Sequence, residues 1–344
     1  MKLGIIGLSG SGKATVFEAL TGSLQDGGHS MDARIGTIRV PDQRIDVLSE
    51  MYQPKKTIYA QVEYFLPGKS SRQQEGGGGE NTWTQVRDCD ALIHVIRNFS
   101  GYGIEPPSPD KDATTLDQEL IISDLLVVEK RLERLDNDRQ RGKALNPEEK
   151  PLLETCREML EAERPLRLDP EIAAAPALRG FAFLSAKPIL PLLNNADEDD
   201  DMPPSKDKAF ADAGLVIKGK LEQELSQMSS EEAEEFLAEF NITASATDRV
   251  IQRSYELMGL MSFFTVGEDE VRAWTIKSNT EALDAAEVIH SDIKKGFIRA
   301  EVVGYEDLIT AGSHAEARKK GTVRLEGKTY PMKDGDIVNF RFNV

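Results

Sequence analysis

The amino-acid sequence predicts an α/β protein with a mostly parallel sheet, an inserted antiparallel helical hairpin and a small β-rich module at its C-terminal end. Three observations lead to this prediction. An apolar strand runs into a glycine-rich turn and a helix near the N-terminus, a heptad seam of apolar residues separates later strands, and short strands alternate with turns after Trp274. A length of 344 residues is enough for two or three domains.

The composition is that of a globular protein, with 40% hydrophobic and 29% charged residues. The formal net charge of −17 excludes a protein that binds nucleic acid over its whole surface, although a local basic patch remains compatible. Cys89 and Cys156 have no metal-site spacing and indicate no disulfide framework. No apolar run is long enough for a secretory leader or a membrane span, so we expect a cytoplasmic protein without a membrane partner.

The first strand leads into a phosphate-binding loop (P-loop). An apolar run at 3–6 is followed by GLSGSGKAT at 7–15, and the residues at 16–20 have the spacing of a helix. Such a loop surrounds phosphate oxygens with backbone N–H groups, and its lysine adds positive charge. The alternative is a tight glycine turn that binds nothing. The predicted nucleotide contacts in the loop are Gly7, Ser9, Gly10, Ser11, Gly12, Lys13, Ala14 and Thr15.

The metal side of this loop departs from the usual pattern. A P-loop normally carries a Ser or Thr hydroxyl for Mg²⁺ directly after the lysine, and this chain has Ala14. Thr15 remains a candidate ligand, but its side chain points roughly 100° further round the helix. A carboxylate is also expected as the Asp of a D-x-x-G pattern, and the candidate stretch at 62–68 ends in Leu-Pro-Gly without one. A bound Mg²⁺ is therefore doubtful, and no catalytic residue is assigned.

The rest of the parallel sheet and its insertion follow from apolar spacing. Runs at 91–96, 181–184 and 189–193 are predicted as further strands. Between them, a heptad seam and a helix start at Asn146-Pro147 predict an antiparallel coiled-coil hairpin. Its role is either structural or that of an arm that contacts a partner. The seam residues are Ile121, Leu125, Val128, Leu132 and Leu135, and then Leu153, Cys156 and Leu160.

The C-terminal end has a different character. Short strands alternate with turns at 326–328 and 333–336, and one helix lies around 283–293, which is typical of a small β-grasp module. Residues 278–344 contain ten Lys or Arg and eleven Asp or Glu, so this end is nearly neutral in an acidic chain.

The chain resembles the YchF/Obg-like ATPase family over essentially its whole length. The most specific segments are FFTVGEDEVRAWTIKSNTEALDAAEVIHSDIKKGFIRAEVVGYEDLI, from Phe263, and EGKTYPMKDGDIVNFRFNV at the C-terminal end. The resemblance implies a P-loop NTPase domain at 1–115 and 166–265, the hairpin at 116–165 and a ubiquitin-like β-grasp (TGS) domain at 266–344. It also implies a cytoplasmic NTPase associated with ribosomes or stress signalling, in a family that tends to favour ATP over GTP.

In this family the base is read by an N-x-x-E pattern. Without a gap, the pattern falls on Asn194 and Asp197, and a carboxylate there is what guanine readers use. A slip of one residue gives Asn195 and Glu198 and restores the family pattern. In a third interpretation, Asp197 merely begins a solvated acidic run. The Ser-Ala-Lys signature of the base side falls on Lys218-Gly219-Lys220.

Other departures concern catalysis. The family's Gly-rich switch carries a histidine, and the matching stretch SSRQQEGGGGENTW has none. His94 lies in an apolar strand and is interpreted as a core residue. The predicted function is therefore purine-nucleotide binding, with ATP or GTP, weak or lost hydrolysis, and a ribosomal, rRNA or translation-linked partner reached through the TGS domain and the hairpin. The alternative is a non-catalytic interaction or scaffold protein that keeps the same shape.

Overall fold

A computed structural model of the chain describes residues 1–23, 32–68, 79–101, 105–205, 212–239 and 245–343. Its strands are β1 (Lys2–Ile6), β2 (Arg34–Arg39), β3 (Lys56–Ile58), β4 (Gln61–Leu66), β5 (Ala91–Asn98), β6 (Ile189–Asn195), β7 (Leu215–Ile217), β8 (Leu260–Val266), β9 (Glu270–Lys277), β10 (Phe297–Gly304), β11 (Arg324–Glu326) and β12 (Asp336–Phe342).

The α-helices of the described residues are α1 (Lys13–Thr21), α2 (Gln43–Tyr52), α3 (Gly79–Val86), α4 (Pro109–Gln140), α5 (Glu149–Glu161), α6 (Pro170–Ala174), α7 (Gly219–Leu225), α8 (Ser230–Glu239), α9 (Ala246–Leu257), α10 (Ala282–Ile289), α11 (Ser291–Lys295), α12 (Tyr305–Ala311) and α13 (His314–Lys319). Two 3₁₀ helices span Leu166–Leu168 and Pro176–Phe181. No helix in these ranges is both long and apolar enough to cross a lipid bilayer.

The chain divides into two compact units, Met1–Thr37 with Glu63–Val250 and Ile38–Val62 with Ile251–Val344. The main sheet of the first has the strand order β2-β4-β1-β5-β6-β7. The pairs β1–β4, β1–β5, β5–β6 and β6–β7 are all parallel. Residues 91–96 of β5 are buried throughout. Their near-continuous apolar run is typical of a parallel strand covered on both faces, which confirms the predicted α/β class.

The predicted strand at 181–184 is wrong. This segment leaves the 3₁₀ helix Pro176–Phe181, and the backbone donors at its C-terminal end go to a carboxylate instead of a neighbouring strand. The N–H groups of Leu184 and Ser185 donate to Asp124 of α4 at 3.1 and 2.7 Å, and Arg87 Nη1 lies 3.1 Å from the same carboxylate. Asp124 is fully buried, and burial raises its pKa while these contacts oppose the rise. The contacts tie α4 to Arg87 and to the segment that leads into β6.

The helical hairpin consists of α4 and α5. Its seam is one apolar cluster that includes Val128, Leu135 and Leu153, all at most 1% exposed. Arg131 Nε donates to Glu149 Oε1 at 2.6 Å, and Lys150 Nζ donates to Asp136 Oδ1 at 2.5 Å, so the end of α4 lies against the start of α5. α5 begins at Glu149, three residues after the predicted cap, and the residues between form a turn in which Asn146 Oδ1 accepts a hydrogen bond from the N–H of Glu148.

The second unit carries a mixed sheet of order β11-β10-β12-β8-β9-β3. In this sheet β12 and β8 are parallel neighbours. β10 is antiparallel to β12, and β9 is antiparallel to β8. The alanine face of α10 packs on this sheet against Phe263, Val302 and Val338. A helix packed on such a sheet is the arrangement of a β-grasp fold. The small side chains of α10 explain how it approaches the strands closely.

Candidate phosphate-binding site

The loop after β1 has the backbone geometry that a phosphate cradle needs. Gly12 has a φ of 90°, and a Cβ placed there would lie 2.2 Å from Asn194 Nδ2. A Cβ at Gly7 would lie 2.3 Å from the carbonyl oxygen of Val95. Gly10 has a φ of 78°, but a Cβ there would meet no described atom within 4 Å, so this side of the loop is open. Glycine is therefore required at 7 and 12 by close packing.

The donors of the loop are grouped at the start of α1. The helix begins at Lys13, and within the described residues no side chain caps its N-terminus at Gly12. The N–H groups of the first turn are consequently directed out of the helix, where they and the helix dipole favour an anion. Ser11 Oγ is buried and has no hydrogen-bond partner among the described residues. These groups fit a bound phosphate.

Lys13 lies against its own loop. Its Nζ donates to the carbonyl oxygens of Gly7 at 2.8 Å and Leu8 at 2.7 Å. The ammonium is therefore held at the first two residues of the loop. A phosphate would exchange these carbonyl contacts for charge-assisted ones, which are shorter and stronger.

Asn194, at the end of β6, connects the loop to the first residue of α7. Its Nδ2 donates to the carbonyl oxygen of Ser11 at 3.1 Å, and its Oδ1 accepts the N–H of Gly219 at 3.0 Å. A Cβ at Gly219 would lie 2.7 Å from this oxygen, so the start of α7 can approach Asn194 this closely because its first residue is glycine. The sequence indicated Gly219 only as part of an altered signature. The contact with Asn194 shows why glycine is needed at this position.

Asn195 points the other way. Its Oδ1 accepts a hydrogen bond from Asn98 Nδ2 at 2.9 Å, and its Nδ2 donates to the carbonyl oxygens of Asp199 and Asp201. Neighbouring residues of a strand face opposite sides, so only one of the two asparagines can reach the loop. Here that residue is Asn194, which corresponds to the ungapped pattern.

The carboxylates after β6 lie on the surface. Asp197 and Glu198 are both exposed, and Asp200 Oδ1 lies 2.7 Å from Lys218 Nζ. Asn194 and the loop are thus brought together, while Asp197 remains at the edge of this group without a described contact to it. Lys218 also belongs to this edge, and its side chain is largely covered.

The metal side of the site differs from the phosphate side. Ala14 is exposed and has no oxygen, and Thr15 is half-buried in the first turn of α1. Phe65, three residues before Gly68, occupies the Asp position of the D-x-x-G pattern and is 6% exposed. Lys2 Nζ lies 4.0 Å from the centroid of its ring. No cluster of three or more His, Cys, Asp or Glu side chains suited to a metal ion occurs within the described ranges.

The Gly-rich stretch SSRQQEGGGGENTW covers residues 70–83, and its part up to residue 78 lies outside the described residues. His94 is buried in β5, as the sequence predicts. Burial, with the charges of Arg167 and Lys13, lowers its pKa to about 3. Its imidazole is therefore neutral at physiological pH, and its Nε2 has no hydrogen-bond partner among the described residues.

A parallel sheet with a strand, a glycine loop and a helix at this position defines a P-loop protein of the nucleotide-binding class. Residues 260–343 match the family model YchF-GTPase_C, described as "Protein of unknown function (DUF933)". The chain is 37% identical to the "Ribosome-binding ATPase YchF" of Bacillus subtilis, with 99% of each chain covered. It is 33% identical to the protein of the same name from Escherichia coli O157:H7, with 100% and 99% covered. The chain belongs to the YchF family.

Solved structures give the same result. The Schizosaccharomyces pombe YchF GTPase has a TM-score of 0.85 at 30% identity, and the match covers 99% of this chain and 97% of that one. A GTP-binding protein from Pyrococcus horikoshii OT3 has a TM-score of 0.55 at 16% identity over the full length of both chains, which shows a common fold only.

Proposed function

We propose that the chain binds a purine nucleotide, ATP or GTP, with its phosphates on the loop at 7–15. The observation that carries this proposal is the donor set of one short segment: an uncapped helix N-terminus, the Lys13 ammonium and the buried Ser11 hydroxyl. The relatives from B. subtilis and E. coli are named ATPases and the one from S. pombe a GTPase, which supports a nucleotide as the ligand.

Mg²⁺, the usual companion of a nucleoside triphosphate, does not fit the protein groups near the loop. Ala14 offers no hydroxyl, and Phe65 offers no carboxylate. In related enzymes this metal neutralises charge that develops on the transferred phosphate. A protein with few ligands for the metal therefore loses more in the rate of hydrolysis than in the affinity for nucleotide. We therefore infer that hydrolysis is weak or lost, and we assign no catalytic residue among the described ones.

For base recognition we propose Asn194 with Asp197. Asn194 supports this assignment because its side chain bridges Ser11 of the loop and Gly219. The residues that follow Asn194, including Asp197, therefore leave the strand next to the nucleotide loop. An Asp197 carboxylate can accept two donors from guanine, whereas adenine presents a different edge. The usual family preference for ATP, through Glu198, is the competing assignment.

We further propose a ribosome-associated, cytoplasmic role in which the TGS domain at 266–344 and the hairpin at 116–165 make contact with rRNA or a translation-linked protein. The relatives' names support the ribosome as partner. One end of the second sheet supports the contact surface, because Ile298, Leu325 and Phe342 are 54%, 59% and 44% exposed. Arg318 and Arg341 both pair with the carboxylate of Glu301 and offer exposed guanidinium groups to such a partner.

Equilibrium binding of labelled ATP and GTP, with and without Mg²⁺, tests the proposal. We expect micromolar or tighter binding that depends little on Mg²⁺, and turnover close to that of free nucleotide. Mg²⁺-dependent turnover well above background would overturn the inference on hydrolysis. Failure to bind either nucleotide would favour the alternative, a non-catalytic interaction or scaffold protein that retains the shape of the family.

A further inference from the structure

One turn of α4 belongs to the apolar cluster against which the phosphate loop packs. Leu116 and Leu120 are buried in a cluster with Ile6, and Leu8 of the loop packs against the same cluster. Residues three and four apart lie on one face of a helix, so the apolar pair fixes which side of α4 is directed at the loop. Glu119 lies between these two leucines in the sequence, at the border of the covered face.

The charge of Lys13 reaches this side of the loop. Burial by the surrounding chain raises the pKa of Glu119, and the Lys13 ammonium opposes that rise. The same ammonium lowers the pKa of buried His94 on the strand beneath. The two effects are consistent with the hydrogen bond from Lys13 Nζ to the Leu8 carbonyl, which holds the ammonium on the side where Leu8 meets α4.

Glu119 differs from the other carboxylate of this turn. Asp117 is engaged by Arg167, whose Nη2 donates to Asp117 Oδ2 at 2.5 Å. Glu119 is exposed, and its carboxylate has neither a hydrogen bond nor an ion pair within the described part of the chain. Phe65 stands at the end of β4, where a carboxylate is expected, and contributes no charge. Glu119 is therefore a negative charge near Lys13, and no described residue forms an ion pair with it.

We propose that Glu119 determines how strongly the site distinguishes nucleoside triphosphates from nucleoside diphosphates. The lysine of a P-loop reaches the β- and γ-phosphates, so a terminal phosphate beside Lys13 comes close to the Glu119 carboxylate. Their repulsion weakens triphosphate binding, whereas a diphosphate leaves the outer position empty. This inference rests on the proposed nucleotide site and adds a residue from the hairpin helix to it.

The missing metal ligands make this effect larger. Where Mg²⁺ is held by the protein, it cancels part of the charge on the β- and γ-phosphates. Ala14 and Phe65 provide no such support, so a nearby carboxylate acts on phosphate charge that is less compensated. Glu119 therefore selects against the terminal phosphate, in contrast to a metal ligand, which would favour it.

The test measures the affinities for ATP and ADP by titration calorimetry in EDTA, for the unmodified chain, Glu119→Gln and Glu129→Gln. Glu129 is an exposed residue of the same helix, about 15 Å further along, so its variant makes the same change in net charge away from the loop. Glu119→Gln should tighten ATP binding roughly three- to tenfold and ADP binding less than twofold. Glu119→Asp, which keeps the charge, should stay near the unmodified ratio.

The outcomes separate this inference from the proposed function. If the unmodified chain binds both nucleotides and Glu119→Gln has the same ATP-to-ADP ratio as Glu129→Gln, the role of Glu119 is refuted and the nucleotide site stands. If none of the variants binds either nucleotide, the proposed function fails and this inference fails with it. Thermal unfolding of the nucleotide-free variants verifies that each one is folded.

Discussion

The loop after β1 and the end of β4 lie at the same edge of the sheet, because the two strands are parallel neighbours, yet they differ in chemistry. The loop keeps its close-packed glycines, its lysine and an uncapped helix start. The end of β4 has a buried phenylalanine at the position where a carboxylate is expected. The difference indicates that holding phosphate and supporting its transfer depend on separate residues, so one can be lost while the other persists.

The largest expected effect comes from the loop itself. Lys13→Ala removes a charge-assisted contact worth ~1.5–3 kcal/mol, so nucleotide affinity should fall roughly ten- to hundredfold. Equilibrium titration with labelled nucleotide measures the change, and Lys130→Ala, an exposed change on α4, serves as the control. Unchanged affinity in Lys13→Ala at intact fold would show that the loop is not the binding site.

Substitution of Asn194 and of its neighbour Asn195 distinguishes an effect on nucleotide affinity from an effect on the stability of the fold. Asn194→Ala leaves the Ser11 carbonyl and the Gly219 N–H without their partner, so both stability and affinity should fall, affinity by roughly tenfold. Asn195→Ala should lower the free energy of unfolding by about 1–3 kcal/mol without a comparable loss of affinity. Chemical denaturation and nucleotide titration of both variants measure the two quantities. Equal losses of affinity would remove the distinction between the two side chains.

The base preference is expected to change less, because the carboxylates after β6 are exposed and screened by solvent. If Asp197 reads guanine, the chain prefers GTP, and Asp197→Ala should reduce the GTP-to-ATP affinity ratio roughly fivefold. Glu198→Ala is the matched control and should leave the ratio unchanged. Competition titrations with the two nucleotides give the ratio directly. A preference for ATP that disappears in Glu198→Ala would support the slipped pattern instead.

The smallest expected effect concerns the metal side. Ala14→Ser restores one oxygen for Mg²⁺, so binding of ATP should become about two- to threefold more dependent on Mg²⁺. Turnover should stay near background, because Phe65 is unchanged. Affinities in Mg²⁺ and in EDTA, together with phosphate release, measure both quantities. Phosphate release restored by Ala14→Ser alone would mean that the hydroxyl was the only deficiency.

Local patterns predicted much of this molecule. The strand, loop and helix at the N-terminus and the heptad seam of the hairpin are present as the sequence indicates, because each depends on residues close together in the chain. The start of α8 also depends on residues close together in the chain, because the Ser229 N–H donates to Glu232 Oε2 at 2.9 Å and the Glu232 N–H donates to Ser229 Oγ at 3.3 Å.

Long-range contacts account for what the sequence could not predict. The segment at 181–184 has an apolar pattern compatible with a strand, but the buried Asp124, some sixty residues earlier, accepts the N–H groups of Leu184 and Ser185 at its end. Similarly, Asn194 and Asn195 fit the sequence pattern equally well. They differ only in which side chain lies on the strand face that is directed at the loop. The nearness of Glu119 to Lys13 depends on where α4 packs, which no local pattern contains.

The length of α4 has a mechanical consequence. The helix runs without a break from Pro109 to Gln140, and the buried contacts of Asp124 hold it near its midpoint to the segment that leads into β6. Leu120, at the loop, is about 6 Å from this fulcrum, and Gln140 is about 24 Å beyond it on the other side. If the helix turned at Asp124 as a rigid rod, it would act as a lever with an arm ratio of about four. A shift of about 0.5 Å at the loop would then move the tip of the hairpin by about 2 Å.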